Sequence, residues 1–154
     1  MPSRNFVPLA LLLLSCCAAT SLAYDLGKSP RVTPQEAAQL VAAGKAVLVD
    51  VRESMEWEST GVAAPAYLLS TTDFSNDEKN WKDFLATVGD KTVITYCLAG
   101  VRAGRIADRL AAQGYHTANG GRFVDWKASK LPVRKARRAT QVIRRSGPAP
   151  ACPP

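Results

Sequence analysis

One short segment holds the residue types that could carry out covalent chemistry. Cys97 follows the most β-prone run of the chain, residues 92–96, and Gly100 and Arg102 come three and five residues later. In open α/β folds, the loop between the carboxyl end of a strand and the next helix is where ligands bind. Backbone N–H groups and the helix dipole stabilise negative charge at such a loop, which favours the reactive thiolate form of a cysteine.

Different residues of this loop are expected to have different roles at the sulfur. The backbone amides predicted to surround the sulfur belong to Leu98, Ala99, Gly100 and Val101. Glycine permits a bend that a Cβ would hinder, and the Arg102 guanidinium at the end of the loop could pair with an anionic oxygen of a substrate. The residues therefore predict a nucleophilic Cys97 in an anion-binding loop. The alternative is that Cys97 is a small buried apolar residue at a strand end.

The segments around this loop alternate between short apolar strands and amphipathic helices. Residues 46–49 form a continuous apolar run, typical of a strand buried on both faces. The other predicted strands are residues 66–69, 92–96 and 115–118, with a turn at residues 119–121. Helices are predicted after capping boxes that begin at Thr33 and Ser75, and again after Arg102. The alternation predicts an α/β fold, with a mostly parallel sheet and helices on both faces.

The same residues, taken in order, resemble a rhodanese domain. Those similar to its first half are Val49-Asp50-Val51-Arg52-Glu53, Glu56-Trp57 and Thr60-Gly61-Val62. Residues 96–103 resemble its active-site loop, and those similar to its closing portion are Gly114-Tyr115, Asn119-Gly120-Gly121, Trp126 and Leu131-Pro132-Val133. The resemblance covers residues 31 to 133 and implies a rhodanese-like fold.

The resemblance also implies sulfurtransferase activity. Cys97 would attack the sulfane sulfur of a small anionic donor such as thiosulfate and become a persulfide, and a thiol or cyanide would then accept the sulfur. Arg102 would hold the sulfonate end of the donor, and neither a metal nor another cofactor is expected. Four residues separate Cys97 from Arg102, one fewer than in phosphatases and arsenate reductases of this fold, which disfavours phosphatase chemistry.

Residues outside the loop leave two matters open. Asp50 and Arg52 lie at the end of the 46–49 strand. They either orient the residues of the site without touching the substrate or form an ordinary strand-terminal ion pair. The chain departs from the family pattern because residues 60–66 contain no histidine and Ala103 stands where a serine or threonine often follows the arginine. The loop also lacks a lysine or a second arginine, which implies weak thiosulfate turnover or a less anionic donor.

The N-terminal segment differs from the predicted domain, which we expect over residues 24–133. Residues 1–23 combine Arg4, an apolar run and the small-residue site Ser21-Leu22-Ala23, which predicts a cleaved signal peptide and an exported, periplasmic protein. Lipidation at Cys16 and an uncleaved membrane anchor are the alternatives. In an oxidising compartment, a regulatory disulfide between Cys97 and Cys152 is a further hypothesis.

The C-terminal tail, residues 134–154, carries the excess positive charge. Eight of the twenty basic residues and no acidic residue follow Asp125, and the net charge is +7. Residues 133–145 place apolar side chains at helical spacing, which predicts a basic amphipathic helix that contacts a membrane surface or packs on its own domain. We expect no nucleic-acid partner in an exported protein. A non-catalytic rhodanese-like binding module, recruited to a membrane or partner by this tail, is therefore the alternative to the enzyme.

Overall fold

A parallel sheet runs through the part of the chain that this computed structural model describes, residues 29–76 and 79–136. Its four strands are β1 (Ala46–Asp50), β3 (Tyr67–Leu68), β4 (Thr92–Cys97) and β5 (Thr117–Arg122). Their spatial order is β3-β1-β4-β5, and every neighbouring pair is parallel. Two short strands, β2 (Val62–Ala63) and β6 (Val133–Arg134), pair antiparallel in a second sheet.

Helices connect these strands. They are α1 (Pro34–Ala42), α2 (Ser54–Thr60), α3 (Thr71–Asn76), α4 (Lys79–Leu85), α5 (Val101–Ala112) and α6 (Phe123–Ala128). The predicted capping box of α1 is confirmed, since the Thr33 hydroxyl accepts the Glu36 N–H and the Glu36 carboxylate accepts the Thr33 N–H. None of these described helices is long and apolar enough to cross a bilayer.

Alternating residues of β4 contribute to two cores, one on each face of the sheet. Val93 and Cys97 belong to a core that includes α3, α4 and Ile106 of α5. Ile94 and Tyr96 belong to the other core, with α1 and α6. The period of two is that of a strand covered on both faces. The α/β prediction of a parallel sheet with helices on both faces is thus confirmed, and Cys97 lies on the same face as the helix that follows it.

The helix predicted after Ser75 is present as α4 (Lys79–Leu85). Ser75 itself lies near the end of the preceding helix, α3, where its hydroxyl donates to the Thr71 carbonyl. This short helix, which the sequence did not indicate, is capped by Ser70, whose hydroxyl oxygen accepts the Asp73 N–H at 2.9 Å. Residues 77 and 78 of the predicted capping box lie outside the described residues.

Residues 119–121, predicted as a turn, continue β5. Gly120 serves close packing rather than chain reversal at this place. A Cβ on Gly120 would lie 2.9 Å from the Cγ2 atom of Ile94 and 3.2 Å from the Thr95 carbonyl oxygen, so only glycine lets β5 lie this close to β4.

The predicted helix over residues 133–145 is wrong at its start. Val133 and Arg134 form β6, and the Arg134 guanidinium donates to the carbonyls of Ala64 and Ala66 at 3.0 and 2.8 Å. Backbone pairing with β2 and these side-chain bonds fix an extended conformation. The remainder of the predicted tail helix, the predicted signal peptide and Cys152 lie outside the described residues.

A buried ion pair joins the ends of β1 and β4. The Asp50 carboxylate accepts Arg52 Nη2 at 2.6 Å and the Tyr96 hydroxyl at 2.6 Å, and both charged side chains are fully buried. The Arg52 guanidinium also donates to the Thr60 hydroxyl and the Gly61 carbonyl at the end of α2. The pair therefore joins three elements, and all its strong donors have acceptors.

The electrostatics of this network favour the charged guanidinium of Arg52 and the neutral phenol of Tyr96. Burial and the neighbouring Asp50 carboxylate raise the pKa of Tyr96. Burial is the largest single influence on the pKa of Arg52 and would lower it, but the hydrogen bonds to Asp50 and the attraction to nearby negative charge together raise it. The guanidinium also lies 4.2 Å from the centre of the Phe123 ring, a cation–π contact that adds to its stabilisation.

Removal of Arg52 should destabilise the protein strongly. Arg52→Met leaves the Asp50 carboxylate buried without its cation, and we expect a loss of about 3–5 kcal/mol in the free energy of unfolding. Urea denaturation followed by circular dichroism measures it. Arg122→Met is the matched control, because its ion pair with Asp125 is exposed and is expected to contribute little to the free energy of unfolding. Equal losses for the two variants would contradict the buried-charge argument.

Candidate active site

The Cys97 sulfur lies beneath the loop that joins β4 to α5. The side chain is 1% exposed and packs in the core that contains Ala103 and Ile106. The Gly100 N–H donates to Sγ at 3.1 Å, as expected of a predicted loop amide. The side chains of Leu98 and Val101 are each 57% exposed and form the outer rim of the loop. The sulfur is thus in contact with the apolar core on one side and with a backbone amide on the other.

Gly100 gives the loop its shape. Its φ of 83° and ψ of −14° place it in the left-handed region, where it forms the N-cap of α5. Its carbonyl accepts the Gly104 N–H at 3.0 Å and the Asn119 Nδ2 at 3.2 Å. Sequence reasoning missed Asn119 as a supporting residue, because the glycines after it had the appearance of a turn.

Arg102 is beside Cys97 but is already paired. Its Nη1 and Nη2 atoms donate to the two carboxylate oxygens of Glu56, each at 2.7 Å, and both side chains are partly exposed. The hydrogen bonds that Arg102 donates to Glu56 raise the pKa of Arg102, and attraction to the Cys97 sulfur adds to the rise. Arg102 was predicted as a donor-binding residue. The structure adds that its guanidinium is held in place by an acid from α2.

Glu56 was named in the sequence only as part of the family resemblance. Besides Arg102, its carboxylate accepts the Glu53 N–H at 2.9 Å, in the capping box of α2. The hydrogen bonds from Arg102 lower the pKa of Glu56. The capping-box spacing, three residues after Glu53, was the available signal for its position on α2, but nothing local indicates a partner 46 positions further along.

Asp50 and Arg52 contact the site through the strand rather than directly. Asp50 lies opposite Tyr96 in the register of β1 and β4, and Tyr96 immediately precedes Cys97. The Tyr96 hydroxyl donates to Asp50 and accepts the Ala63 N–H of β2. Among the described residues, no group of three or more His, Cys, Asp and Glu side chains could hold a metal ion.

The sheet order and the cysteine loop at the carboxyl end of β4 define a class of protein. Residues 33–128 match the rhodanese-like domain family, and the chain belongs to that family. The fold is therefore rhodanese-like, as the sequence resemblance implied.

Particular relatives give this class more detail. Thiosulfate sulfurtransferase GlpE of Actinobacillus succinogenes is 31% identical over 107 residues, which cover 68% of this chain and 90% of that protein. A rhodanese-related protein of Thermoplasma volcanium superposes with a TM-score of 0.58 at 18% identity, covering 70% of this chain and 99% of that one. A rhodanese-like domain protein of Staphylococcus aureus gives 0.53 at 20% identity, covering 68% and 98%. These two structures support the fold alone.

The Glu56–Arg102 pair predicts a change in titration. Arg102→Gln removes the cation that lowers the pKa of Glu56, so that pKa should rise toward its ordinary value of 4.5. NMR titration of the Glu56 side-chain carboxyl measures the shift. In the wild type, the stability that the pair contributes is fully present above pH 4.5 and is lost as pH falls through the lowered pKa.

Arg105→Gln is the matched control for this titration. Arg105 lies on the same helix, and Glu56 hydrogen-bonds to Arg102 instead. The control should leave the Glu56 titration unchanged. An Arg102→Gln variant that titrates like the wild type would contradict the pairing.

Proposed function

We propose that this protein is a sulfurtransferase that carries sulfane sulfur on Cys97. The observation that supports this most directly is the cysteine at the carboxyl end of β4, whose Sγ accepts the Gly100 N–H and has the Arg102 cation beside it. Both groups favour an anionic sulfur at that position. Kinship with a thiosulfate sulfurtransferase supports the same reaction and makes thiosulfate the first donor to test.

In the first half of the proposed reaction, the Cys97 thiolate attacks the outer sulfur of thiosulfate. A sulfur–sulfur bond forms to Cys97, the sulfur–sulfur bond of the donor breaks, and sulfite leaves with the bonding electron pair. The Gly100 amide holds the charge of the thiolate before the transfer, and the loop amides and Arg102 hold that of the persulfide and sulfite after it.

In the second half, an acceptor attacks the terminal sulfur of the persulfide. Cyanide leaves as thiocyanate, or a thiolate leaves as a persulfide, and in each case the Cys97 thiolate is restored with its electron pair. The two displacements conserve charge and electrons. The residues that act on sulfur are therefore Cys97, Gly100 and Arg102.

The pairing of Arg102 affects the choice of donor. Glu56 offsets much of the positive charge beside the sulfur, and the loop from Leu98 to Val101 supplies no other cation. Arg102 then acts as an oriented hydrogen-bond donor more than as a free charge. We propose that a doubly charged donor such as thiosulfate turns over slowly here and that less anionic sulfane donors turn over faster.

One observation favours a second candidate, a non-catalytic binding module. The Cys97 side chain is 1% exposed, while the apolar side chains of Leu98 and Val101 lie at the rim and are open to a partner. A binding function needs these rim residues and not the sulfur. The two candidates therefore differ in whether replacing the Cys97 sulfur abolishes the function of the protein.

The test is sulfur transfer from thiosulfate to cyanide by the wild type and by Cys97→Ser. We expect the wild type to form thiocyanate and the variant to lose at least about 1,000-fold in rate, because the nucleophile is absent. Intact mass after incubation with a sulfane donor should show one added sulfur atom that a reductant removes. Cys152→Ser is the matched cysteine control and should keep the activity.

Two outcomes would decide against the enzyme. If wild type and Cys97→Ser are equally inert with thiosulfate and with an organic persulfide, the binding module is the better description. If the added sulfur persists in Cys97→Ser, the carrier is another residue. Transfer that depends on Cys97 alone supports the proposal.

We also propose that the protein acts after export. The support is the sequence of residues 1–23, with Arg4 before an apolar run and small residues up to Ala23. Mass spectrometry of the mature protein from fractionated cells should find an N-terminus at Tyr24 in the exported fraction. Full-length protein in the cytoplasmic fraction would contradict export, and a lipid-modified Cys16 would replace cleavage at Ala23 with lipoprotein processing.

A further inference from the structure

A groove with a positively charged wall lies beside the candidate active site. It runs between α3 and α5 and encloses about 370 Å³. Arg102, Arg105 and Arg109 of α5 line one side, and Phe74 of α3 and Ile106 form its apolar part. Because Arg102 is the second residue of α5, directly after the Cys97 loop, the groove adjoins the place where sulfur transfer is proposed.

The three arginines form a row that leads away from the sulfur. They occupy positions i, i+3 and i+7 of α5, which lie on one side of a helix. At about 1.5 Å of rise per residue, Arg105 is displaced by about 4.5 Å and Arg109 by about 10 Å along the axis from Arg102. The buried residues of α5, Ala103, Ile106, Ala107 and Leu110, fix this orientation.

Arg105 and Arg109 carry charge that the described residues do not neutralise. Arg102 pairs with Glu56, whereas neither of the other two belongs to an ion pair among residues 29–76 and 79–136. Arg109 lies 5.9 Å from the centre of the Phe74 ring, which keeps its guanidinium at the groove. The acidic group in the lining is Asp108, and its carboxylate accepts the Ser29 N–H at 2.7 Å. The lining therefore has an excess of positive charge.

We propose that this groove binds the carboxylate end of the thiol that accepts sulfur from Cys97. The acceptor is then a small thiol whose carboxylate lies one to two helical turns from its sulfur, with an apolar chain against Phe74 and Ile106. This inference rests on the proposed sulfurtransferase function. It also assigns a role to Arg105 and Arg109, which supply positive charge that the cysteine loop itself does not contain.

Size and charge together point to this occupant. The volume is at the lower end of the about 300–1,000 Å³ found for small-molecule sites. Thiosulfate carries its charge on atoms bonded to its inner sulfur, so it does not extend along α5 to Arg105. An acceptor must bring its sulfur to Cys97, and the rest of the molecule then extends along the row of cations.

The transfer step itself needs no further reactant. The acceptor thiolate attacks the terminal sulfur of the Cys97 persulfide, the bond between the two persulfide sulfurs breaks, and Cys97 leaves as the thiolate with the electron pair. The acceptor departs as a persulfide with its carboxylate unchanged. The groove contributes binding and orientation only.

A series of thiols with graded length tests the proposal. The probes are ω-mercaptocarboxylates from three to eleven carbons, each compared with the ω-mercaptoalcohol of equal length, and thiosulfate is the donor. We expect the ratio of kcat/KM for acid over alcohol to be near one for the shortest pair. The ratio should rise to about fivefold for chains that reach Arg105 or Arg109, which is the scale of an exposed charge pair. Added salt should reduce that advantage.

Charge-neutral variants locate the effect. Arg105→Gln with Arg109→Gln should bring the ratio of acid to alcohol back to about one at every chain length. Lys91→Gln is the control, because Lys91 is an exposed cation just before β4, at the opposite end of that strand from Cys97. It should leave both the ratio and the rate unchanged.

The possible failures are distinguishable. If acids and alcohols are equivalent at all lengths while sulfur is transferred to both, the groove proposal is wrong and the sulfurtransferase stands. The groove proposal is also wrong if the kcat/KM ratio of acid over alcohol exceeds one by the same factor at every chain length, or if it stays above one in the double variant. If no thiol and no cyanide accepts sulfur, the proposed function fails and the inference fails with it.

Discussion

A single carboxylate, Asp50, holds together the strand ends on which the cysteine loop is built. It accepts bonds from Arg52 and from the Tyr96 hydroxyl, and through them it connects β1, β4 and the end of α2. A buried charge with two strong partners tolerates little displacement, since a lost partner leaves the ion desolvated and uncompensated. Tyr96 is therefore restrained on one face of β4, and the next residue, Cys97, must face the other side. The position of the sulfur follows from that restraint together with the period of two in the strand.

A second acid, Glu56, has the corresponding role on the other side of the loop. Its bidentate contact fixes the plane of the Arg102 guanidinium, a geometry that a lysine would not reproduce. The pairing with Glu56 reduces the net positive charge beside the sulfur but fixes the orientation of the guanidinium. The two arginines of α5 that form no ion pair with a described residue, Arg105 and Arg109, lie further along the helix, so positive charge increases away from Cys97 rather than at it.

Local patterns predicted the elements that are stabilised locally. The apolar run before Asp50, the capping box at Thr33 and the strand that ends at Cys97 lie where the sequence indicated, because periodicity and capping act within a few residues. The errors arose where distant residues decide. Gly120 indicates a turn on its own, but here it allows close contact with Ile94, and residues 133–134 pair with β2, about 70 positions earlier. The role of Glu56 also depends on a distant residue, because tertiary packing brings Arg102 to it.

In the proposed reaction, these two ion pairs keep the negative charge of two nearby carboxylates from opposing an ionised sulfur. Asp50 and Glu56 are both acids close to the loop, and either one unpaired would disfavour a second negative charge at Cys97. Arg52 neutralises the first at full burial, and Arg102 neutralises the second. The Gly100 amide then acts on the sulfur without competition from a nearby carboxylate.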